Sequence, residues 1–206
     1  MIKAVIFDMD GVLIEAKEWH YEALNRALAL FGYGISRYAH LTTYDGLPTK
    51  KKLEMLTVEQ GLPPALHGFI NEMKQSYTME LVHTQCRPRF VHEYALSSLK
   101  ARGYKLAVCS NSIRDTVDTM MDKANLKRYL DFFLSNQDVK SGKPDPEIYQ
   151  TAIARLNLQP HECLVVEDNE NGIRAAQASG AHVLAVRDVA EVNINNITQK
   201  ISEVDA

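Results

Sequence analysis

The stretch Lys3-Ala-Val-Ile-Phe-Asp8-Met-Asp10-Gly-Val-Leu-Ile14 decides the fold, because an apolar run there ends abruptly in two acids and a glycine. Residues 4–7 are rich in β-branched and aromatic side chains, which predicts a fully buried strand. Side chains at positions i and i+2 of an extended chain point to the same side, so Asp8 and Asp10 are expected to leave the strand together. Ligands of open α/β sheets bind beyond this carboxyl end. Because adjacent carboxylates raise each other's pKa, a hard cation such as Mg²⁺ is expected beside them.

The composition is that of an ordinary globular chain and gives no sign of a nucleic-acid or membrane partner. Its 206 residues can form one good-sized core and a smaller appendage. The net charge is −3 and the basic run Lys50-Lys51-Lys52 is short, so we expect no nucleic-acid binding. No apolar stretch approaches a membrane span, and the start of the chain lacks the layout of a signal peptide. Three cysteines without CxxC spacing indicate a reduced, cytoplasmic protein.

Two parts of the chain have different periodicities. Between residues 15 and 83 apolar residues recur at helical spacing, which predicts an inserted helical unit. Strands and helices alternate later in the chain, and this alternation indicates a parallel sheet with helices on both faces. The predicted later strands span residues 104–109, 131–134, 163–166 and 182–186. The predicted fold is therefore α/β, a Rossmann-like parallel core formed by 1–14 and 84–206, with 15–83 as an α-helical cap domain.

Three local features concern helix ends. Ser112 and Asp115 have the spacing of a capping box, which predicts that Ser112 caps a helix running through residue 121. Asp145-Pro146 predicts an N-cap followed by proline at the first helical position. The polar tail from Asn193 is compatible with either a mobile end or a short terminal helix.

Polar motifs recur after the later predicted strands. Ser110 and Asn111 directly follow the strand 104–109, where a hydroxyl and free N–H groups can donate to an anionic oxygen. Lys143 stands before a helix start in the string Gly-Lys-Pro-Asp-Pro-Glu-Ile-Tyr (142–149), where an ammonium can neutralise a phosphate. These residue types at strand ends favour a phosphate site, although helix capping and surface exposure are the alternatives.

A second acidic pair repeats the design of the opening stretch. Glu167 and Asp168 end the buried strand 163–166, and Gly172 follows near the next helix start. Acidic capping of that helix, favourable through its dipole, is one explanation. Asp168 is also a candidate third oxygen ligand for Mg²⁺.

The four motifs, in this order and each after a predicted strand, resemble those of the haloacid dehalogenase (HAD) superfamily. The chain resembles its β-phosphoglucomutase-like/phosphatase branch, whose helical cap of the first class lies where residues 15–83 do. The resemblance implies hydrolysis through an aspartyl-phosphate intermediate, with Asp8 as nucleophile. Asp10 would first protonate the leaving oxygen and then deprotonate water.

The resemblance also implies the ligands of the metal and of the phosphoryl group. Mg²⁺ would be held by Asp8, the backbone carbonyl of Asp10 and Asp168, and Glu167 would bind or orient it. Donors to the phosphoryl oxygens would be Ser110, Asn111 and Lys143. By the same resemblance, Lys143 would also be a catalytic residue.

Substrate choice would depend on the cap. His20 matches a histidine of β-phosphoglucomutase-like members, with packing or surface exposure as the alternative. Residues 46–49 resemble the substrate-specificity loop of such caps. Where the mutases carry an arginine for a second phosphate, this chain has Thr49 followed by Lys50, which favours a phosphatase. Tyr44 and Lys50 are further candidate specificity residues.

The leading hypothesis is a Mg²⁺-dependent phosphatase acting on a small phosphorylated metabolite, such as a sugar or polyol phosphate, as a monomer or weak homo-oligomer. The alternative within the same fold is a β-phosphoglucomutase-like phosphoglycomutase. A phosphonate hydrolase is disfavoured because the expected cap-loop lysine is not at the matching position. A dehalogenase is disfavoured because it has no use for Asp10 or a metal. A non-catalytic binding protein of this fold is the alternative from a different functional class.

Overall fold

A parallel β-sheet forms the centre of the computed structural model, which describes residues 1–44 and 46–206. Its strands are β1 (Ala4–Phe7), β2 (Lys105–Cys109), β3 (Phe132–Leu134), β4 (Cys163–Glu167) and β5 (His182–Ala185). They lie in the order β3-β2-β1-β4-β5, and every neighbouring pair is parallel. The predicted α/β fold with a parallel sheet is confirmed, and the strand predicted from the opening stretch is the central one.

Helices connect these strands and follow the last one. Within the described residues they are α1 (Lys17–Ala29), α2 (Arg37–Ala39), α3 (Thr49–Gln60), α4 (His67–Gln85), α5 (Phe90–Ala101), α6 (Arg114–Lys123), α7 (Glu147–Leu156), α8 (Glu170–Ala178) and α9 (Ile194–Asp205). A π-helical turn, His40–Tyr44, follows α2. Every helix in this part of the chain is too short or too polar to span a bilayer.

Contact density divides the chain into two compact units. The sheet unit comprises Met1–Glu15 and Arg87–Ala206, and the helical unit comprises Ala16–Cys86. The sheet unit contains β1 to β5 with α5 to α9, whereas α1 to α4 form the helical unit. The domain division predicted from the sequence, 15–83 inserted between 1–14 and 84–206, stays a proposal.

The sheet unit has an apolar core on both faces of β1. All four residues of β1 are fully buried, and the strand is paired on both edges. Ile6 packs with Val165 of β4 and with Ile148 and Ala152 of α7 in one cluster. Burying a side chain of this size contributes roughly 1.5–3 kcal/mol. This packing makes β1 a rigid support for the acidic residues that follow it.

The helical unit has its own apolar core. Leu24 and Leu28 of α1 pack with Leu53 and Leu56 of α3 and with Ile70 of α4. Their spacing of three to four residues puts them on one face of each helix. The helical character predicted for this part of the chain is confirmed.

The structure contradicts both predicted helix caps. α6 begins after Ile113, whose backbone is extended, so Ser112 lies one residue too early to cap it. The Ser112 hydroxyl donates instead to Oδ2 of Asp10, at 3.1 Å. α7 has Pro146 rather than Asp145 at its N-cap, although Asp145 Oδ1 still accepts the backbone N–H of Glu147 at 2.9 Å.

The end of the described chain is helical, which decides between the two alternatives left open by the sequence. Asn193 caps α9 by accepting the N–H of Asn196 at 3.0 Å. Ile194, Ile197 and Ile201 are buried along one face of the helix. The apolar stripe explains why a polar tail folds onto the sheet unit.

Candidate active site

The predicted motifs meet at one edge of the sheet because the parallel register aligns three strand ends. Phe7, the last residue of β1, is level with Val108 of β2 and Val166 of β4. Asp8 therefore follows β1 beside the end of β2, where Ser110 lies, and beside Glu167 at the end of β4. This is the edge at which open α/β sheets bind their ligands.

A buried lysine connects all three of these strand ends. The ammonium of Lys143 donates to Oδ1 of Asp8 at 2.5 Å, to Oε1 of Glu167 at 2.6 Å and to the carbonyl of Cys109 at 2.9 Å. Lys143 is only 5% exposed and Glu167 1%. Burial acts to lower the pKa of Lys143, but the two carboxylates outweigh it, so the pKa is raised and the side chain stays charged.

The surroundings of Asp8 disfavour the ionised form of its carboxyl group. Burial raises the pKa of the Asp8 carboxyl well above its usual value. Lys143 opposes this rise, whereas the Glu167 and Asp10 carboxylates add to it. One ammonium is thus shared among more carboxylates than it can neutralise. A positively charged ligand at this edge of the sheet would favour the ionised form of Asp8.

Three acids in this cluster are close enough to bind one metal ion. Asp8, Glu167 and Asp168 each offer a carboxylate oxygen, and these oxygens lie within 4.8 Å of one another. Asp168 also donates its backbone N–H to Oε2 of Glu167 at 3.2 Å. Carboxylate oxygens are the hard ligands that Mg²⁺ takes in proteins. The donor set therefore fits Mg²⁺ in chemistry and in spacing.

Asn111 frames the backbone of Lys143. Its amide oxygen accepts the Lys143 N–H at 3.0 Å, and its amide nitrogen donates to the Lys143 carbonyl at 3.2 Å. Gly142 makes room for this pairing, because a Cβ there would lie 2.7 Å from the Asn111 oxygen. The sequence predicted Asn111 as a phosphate ligand, which stays a prediction. In the structure its side chain orients Lys143.

Two serines form hydrogen bonds that connect the loop after β2 to Asp10. Ser110 is buried, and its hydroxyl oxygen accepts the backbone N–H of Ser112 at 3.1 Å. The Ser112 hydroxyl in turn donates to Asp10, as described above. This links the turn after β1 to the loop after β2. Ser112, which the sequence predicted only as a helix cap, is therefore a site residue that the sequence reasoning missed.

Glu167 is held by two further residues whose contact with it the sequence did not predict. The Tyr149 hydroxyl donates to Oε1 of Glu167 at 2.5 Å, and both side chains are buried. A Cβ at Gly172 would lie 1.9 Å from the same oxygen, so only glycine leaves space for the carboxylate. Tyr149 lies on the buried face of α7 beside Ile148. A tyrosine on the apolar face of a predicted helix indicates a polar contact in the core, because its buried hydroxyl needs a hydrogen-bond partner.

Comparisons with known proteins identify the family to which the chain belongs. The haloacid dehalogenase-like hydrolase family matches residues 5–186. The chain belongs to this family. It is 31% identical over 182 residues to a phosphorylated carbohydrates phosphatase of Thermotoga maritima, covering 87% of this chain and 82% of that protein. It is also 31% identical over 214 residues to a phosphoglycolate phosphatase of Nitrosospira multiformis, covering 98% and 93%.

A solved structure supports the fold. A β-phosphoglucomutase from Clostridium difficile superposes with a TM-score of 0.85 at 22% identity, covering 98% of both chains. That likeness concerns the fold alone. The family match and the two phosphatase relatives confirm the prediction that this HAD chain is an enzyme of the phosphoric monoester hydrolase class.

The predicted cap residues of the HAD chain all lie in the helical unit. His20 Nδ1 is 3.3 Å from the ammonium of Lys74. Thr49 begins α3 and is half-buried, and Lys50 beside it is exposed. Their proposed contacts with substrate stay predictions.

Tyr44, the further specificity candidate, lies in the apolar core of the helical unit and is 2% exposed. Its hydroxyl donates to Glu59. Burial, together with this bond, raises the pKa of Tyr44 to about 12. This environment favours a packing role for Tyr44.

Proposed function

We propose that this HAD enzyme is a Mg²⁺-dependent phosphatase that hydrolyses a small phosphorylated metabolite through an aspartyl-phosphate intermediate. The observation that carries the proposal is the buried cluster in which Lys143 bonds Asp8 and Glu167 while Asp168 lies within metal-ligand distance. Such a cluster combines a carboxylate nucleophile with a cation for a phosphoryl group. Buried charges this dense are costly, and they occur where chemistry needs them.

In the first step Asp8 is the nucleophile. One of its carboxylate oxygens forms a bond to phosphorus while the bond from phosphorus to the substrate oxygen breaks. The proton for this leaving oxygen comes from the Asp10 carboxyl, which the Ser112 hydroxyl holds in position through Oδ2. Lys143 orients Asp8 through Oδ1 and its charge balances the phosphoryl oxygens.

In the second step the same residues release phosphate. Asp10, now a carboxylate, removes a proton from water, and the resulting oxygen attacks the phosphorus of the acyl phosphate. The bond between phosphorus and Asp8 breaks, which regenerates the Asp8 carboxylate and frees inorganic phosphate. The reaction is balanced, since Asp10 gives one proton in the first step and regains one in the second.

The proposed Mg²⁺ ligands are Asp8, Asp168, Glu167 and the backbone carbonyl of Asp10. When bound, the ion supplies positive charge that neutralises the phosphoryl oxygens and keeps the nucleophile ionised. Ser110 and Asn111 are proposed as further donors to the phosphate. The Ser110 hydroxyl is better suited, because the Asn111 amide already pairs with the Lys143 backbone.

The names of two relatives support a proposed substrate class. Two proteins at 31% identity over most of the chain are named for dephosphorylating phosphorylated carbohydrates and phosphoglycolate. Small phosphate monoesters of sugars, polyols or hydroxy acids are therefore the proposed substrates. The cap residues His20, Thr49 and Lys50 are proposed to select among them.

The experiment is a phosphate-release screen of such monoesters with Mg²⁺ and after removal of divalent cations. We expect release of inorganic phosphate only with the metal. A ³¹P NMR time course with a sugar bisphosphate separates the alternative phosphoglycomutase, which would exchange phosphoryl positions without releasing phosphate. Absence of phosphate release from all compounds in the presence of Mg²⁺ would count against the proposal.

A further inference from the structure

A buried tyrosine at the end of the Lys143 motif touches the proposed catalytic cluster, although the sequence analysis assigned it no role. Tyr149 is fully buried, and its hydroxyl donates to Oε1 of Glu167. The ammonium of Lys143 lies 4.9 Å from the centre of the Tyr149 ring. One side chain thus contacts both the acid and the lysine of the cluster. A phenylalanine would fill the same space without the hydroxyl.

We infer that Tyr149, together with Gly172, is a positioning residue that holds the Glu167 carboxylate in the orientation needed for Mg²⁺ binding. The inference rests on the proposed phosphatase function and assigns to these two residues a role in it. Neither residue touches the reacting atoms in this scheme. Both act through Glu167.

The hydrogen-bond pattern around Glu167 supports this role. Oε1 accepts from both Tyr149 and Lys143, at 2.5 and 2.6 Å, while Oε2 accepts the backbone N–H of Asp168 at 3.2 Å. Donors on both oxygens fix the plane of the carboxylate. A buried carboxylate with fewer donors would turn to recover its hydrogen bonds, because an unmet buried charge is costly.

Tyr149 also affects how the lysine is shared. Asp8 and Glu167 compete for the one Lys143 ammonium. The tyrosine hydroxyl gives Glu167 a second donor, and this leaves more of the ammonium for Asp8. Without that hydroxyl, Glu167 would draw Lys143 toward itself and away from the nucleophile.

Gly172 contributes by shape. The site of a Cβ on Gly172 lies within 1.9 to 2.3 Å of the carboxylate atoms of Glu167, closer than any real contact. Any side chain at this position must displace the carboxylate. The backbone of Gly172 therefore forms a wall against which Tyr149 and Lys143 hold Glu167.

The test is isothermal titration calorimetry of the substrate-free protein with MgCl₂, using Tyr149→Phe. Losing a group that orients a metal ligand weakens metal affinity by about 10-fold to 100-fold. We expect Tyr149→Phe to bind Mg²⁺ at least about 10-fold more weakly than the wild type. At saturating Mg²⁺ we expect kcat to fall while KM stays within about twofold, because the substrate contacts are intact.

Matched variants separate positioning from general damage. Tyr94→Phe removes an exposed hydroxyl from α5 and should keep wild-type Mg²⁺ affinity. Gly172→Ala is a second, independent displacement of Glu167 and should weaken Mg²⁺ binding as Tyr149→Phe does. Gly68→Ala is its control, since a Cβ there meets no described atom within 4 Å. If one of the two site variants does not fold, the other still decides.

The outcomes distinguish this inference from the function on which it rests. Unchanged Mg²⁺ affinity in a folded Tyr149→Phe or Gly172→Ala protein, with an active wild type, would overturn the positioning role alone. A wild type that binds Mg²⁺ but releases no phosphate would count against the phosphatase function and leave the positioning role standing. Weakened Mg²⁺ binding in each folded site variant, with both controls unchanged, supports the inference.

Discussion

The two units of the molecule bury polar groups in different ways. In the helical unit, the Asn25 amide exchanges two hydrogen bonds with the backbone of Ile35, at 2.7 and 3.1 Å. Tyr44 likewise donates its hydroxyl to Glu59. At the carboxyl edge of the sheet, by contrast, the single ammonium of Lys143 pairs with two buried carboxylates, those of Asp8 and Glu167. A third carboxylate, that of Asp168, has an oxygen within 4.8 Å of theirs.

This difference supports the proposed location of the active site at the sheet edge. Paired polar groups in a core contribute to stability and specify one packing arrangement. A surplus of buried negative charge costs folding free energy, and it persists where a ligand of opposite charge is expected. The sheet edge has the character of a binding site for a cation, whereas the described pairs of the helical unit have the character of structural contacts.

The largest effect should come from the proposed nucleophile. Asp8→Asn removes the attacking carboxylate but keeps its shape and the hydrogen-bond acceptor for Lys143, so the protein should fold. We expect the rate of phosphate release to fall on the order of 10⁴-fold or more. Asp188→Asn, at an exposed position, is the control and should keep full activity. Activity within tenfold of wild type in purified Asp8→Asn would show that another group attacks phosphorus.

The next largest effect concerns the shared lysine. Lys143→Gln leaves Asp8 and Glu167 buried without their common cation, and breaking a buried ion pair costs about 3–5 kcal/mol. We expect the free energy of unfolding in urea to fall by this amount, with loss of activity. Lys100→Gln, which breaks a partly exposed pair with Asp131, should have a much smaller effect. Equal losses in the two variants would remove the distinction between the sheet edge and an ordinary surface pair.

A moderate effect is expected at a structural carboxylate of the same sheet unit. Asp138 accepts the N–H and hydroxyl of Ser135 at 2.8 and 2.7 Å and pairs with Arg114. Burial acts to raise the pKa of Asp138, but these donors outweigh it and the pKa is lowered. We expect Asp138→Asn to lower the free energy of unfolding by about 1–2 kcal/mol at pH 7.

The pH dependence of this variant follows from the sign of the shift. A carboxylate whose pKa is lowered in the folded state stabilises the protein above its unfolded pKa of about 3.9. This stabilisation is lost as the pH falls through the folded pKa. Urea unfolding of wild type and Asp138→Asn should therefore differ at pH 7 and converge at acid pH. A difference that stays constant with pH would contradict the assignment.

The smallest effect should be in the helical unit. Tyr44→Phe removes the hydroxyl that donates to Glu59 and should lower the free energy of unfolding by about 1 kcal/mol. Calorimetric Mg²⁺ affinity should not change. If Tyr44→Phe weakened Mg²⁺ binding as much as is expected for Tyr149→Phe, the bond from Tyr44 to Glu59 would not be purely structural. The contrast with the bond from Tyr149 to Glu167 would then be wrong.

Much of the sheet could be predicted because local pattern and burial agree there. Residues 4–7 and 163–166 form uninterrupted apolar runs, the pattern typical of parallel strands buried on both faces. Asp8, Ser110 and Glu167 each lie at the end of a predicted parallel strand, and such strands end at one edge of a sheet, which predicts that the three residues are neighbours. That inference needs no side-chain detail.

The partners of individual side chains could not be predicted, because they depend on tertiary distances. The sequence spacing of Ser112 matched a helix cap, but an extended Ile113 delays the helix and the hydroxyl meets Asp10. The bond from Tyr149 to Glu167 joins residues on different elements, and no periodicity reports such a pair. Local rules fix elements, while competition among nearby acceptors decides where each donor points.

The central claim, that Asp8 takes the phosphoryl group, is tested most directly by trapping the covalent intermediate. The enzyme is mixed with Mg²⁺ and a phosphate monoester that it hydrolyses, and the reaction is quenched within the first turnovers. The quenched protein is then reduced with borohydride, which converts an aspartyl phosphate to homoserine. Peptide mass spectrometry then locates the modified residue. We expect homoserine at position 8 and none at Asp10 or Asp168. Rapid turnover with no modification at Asp8, or modification elsewhere, would contradict the account.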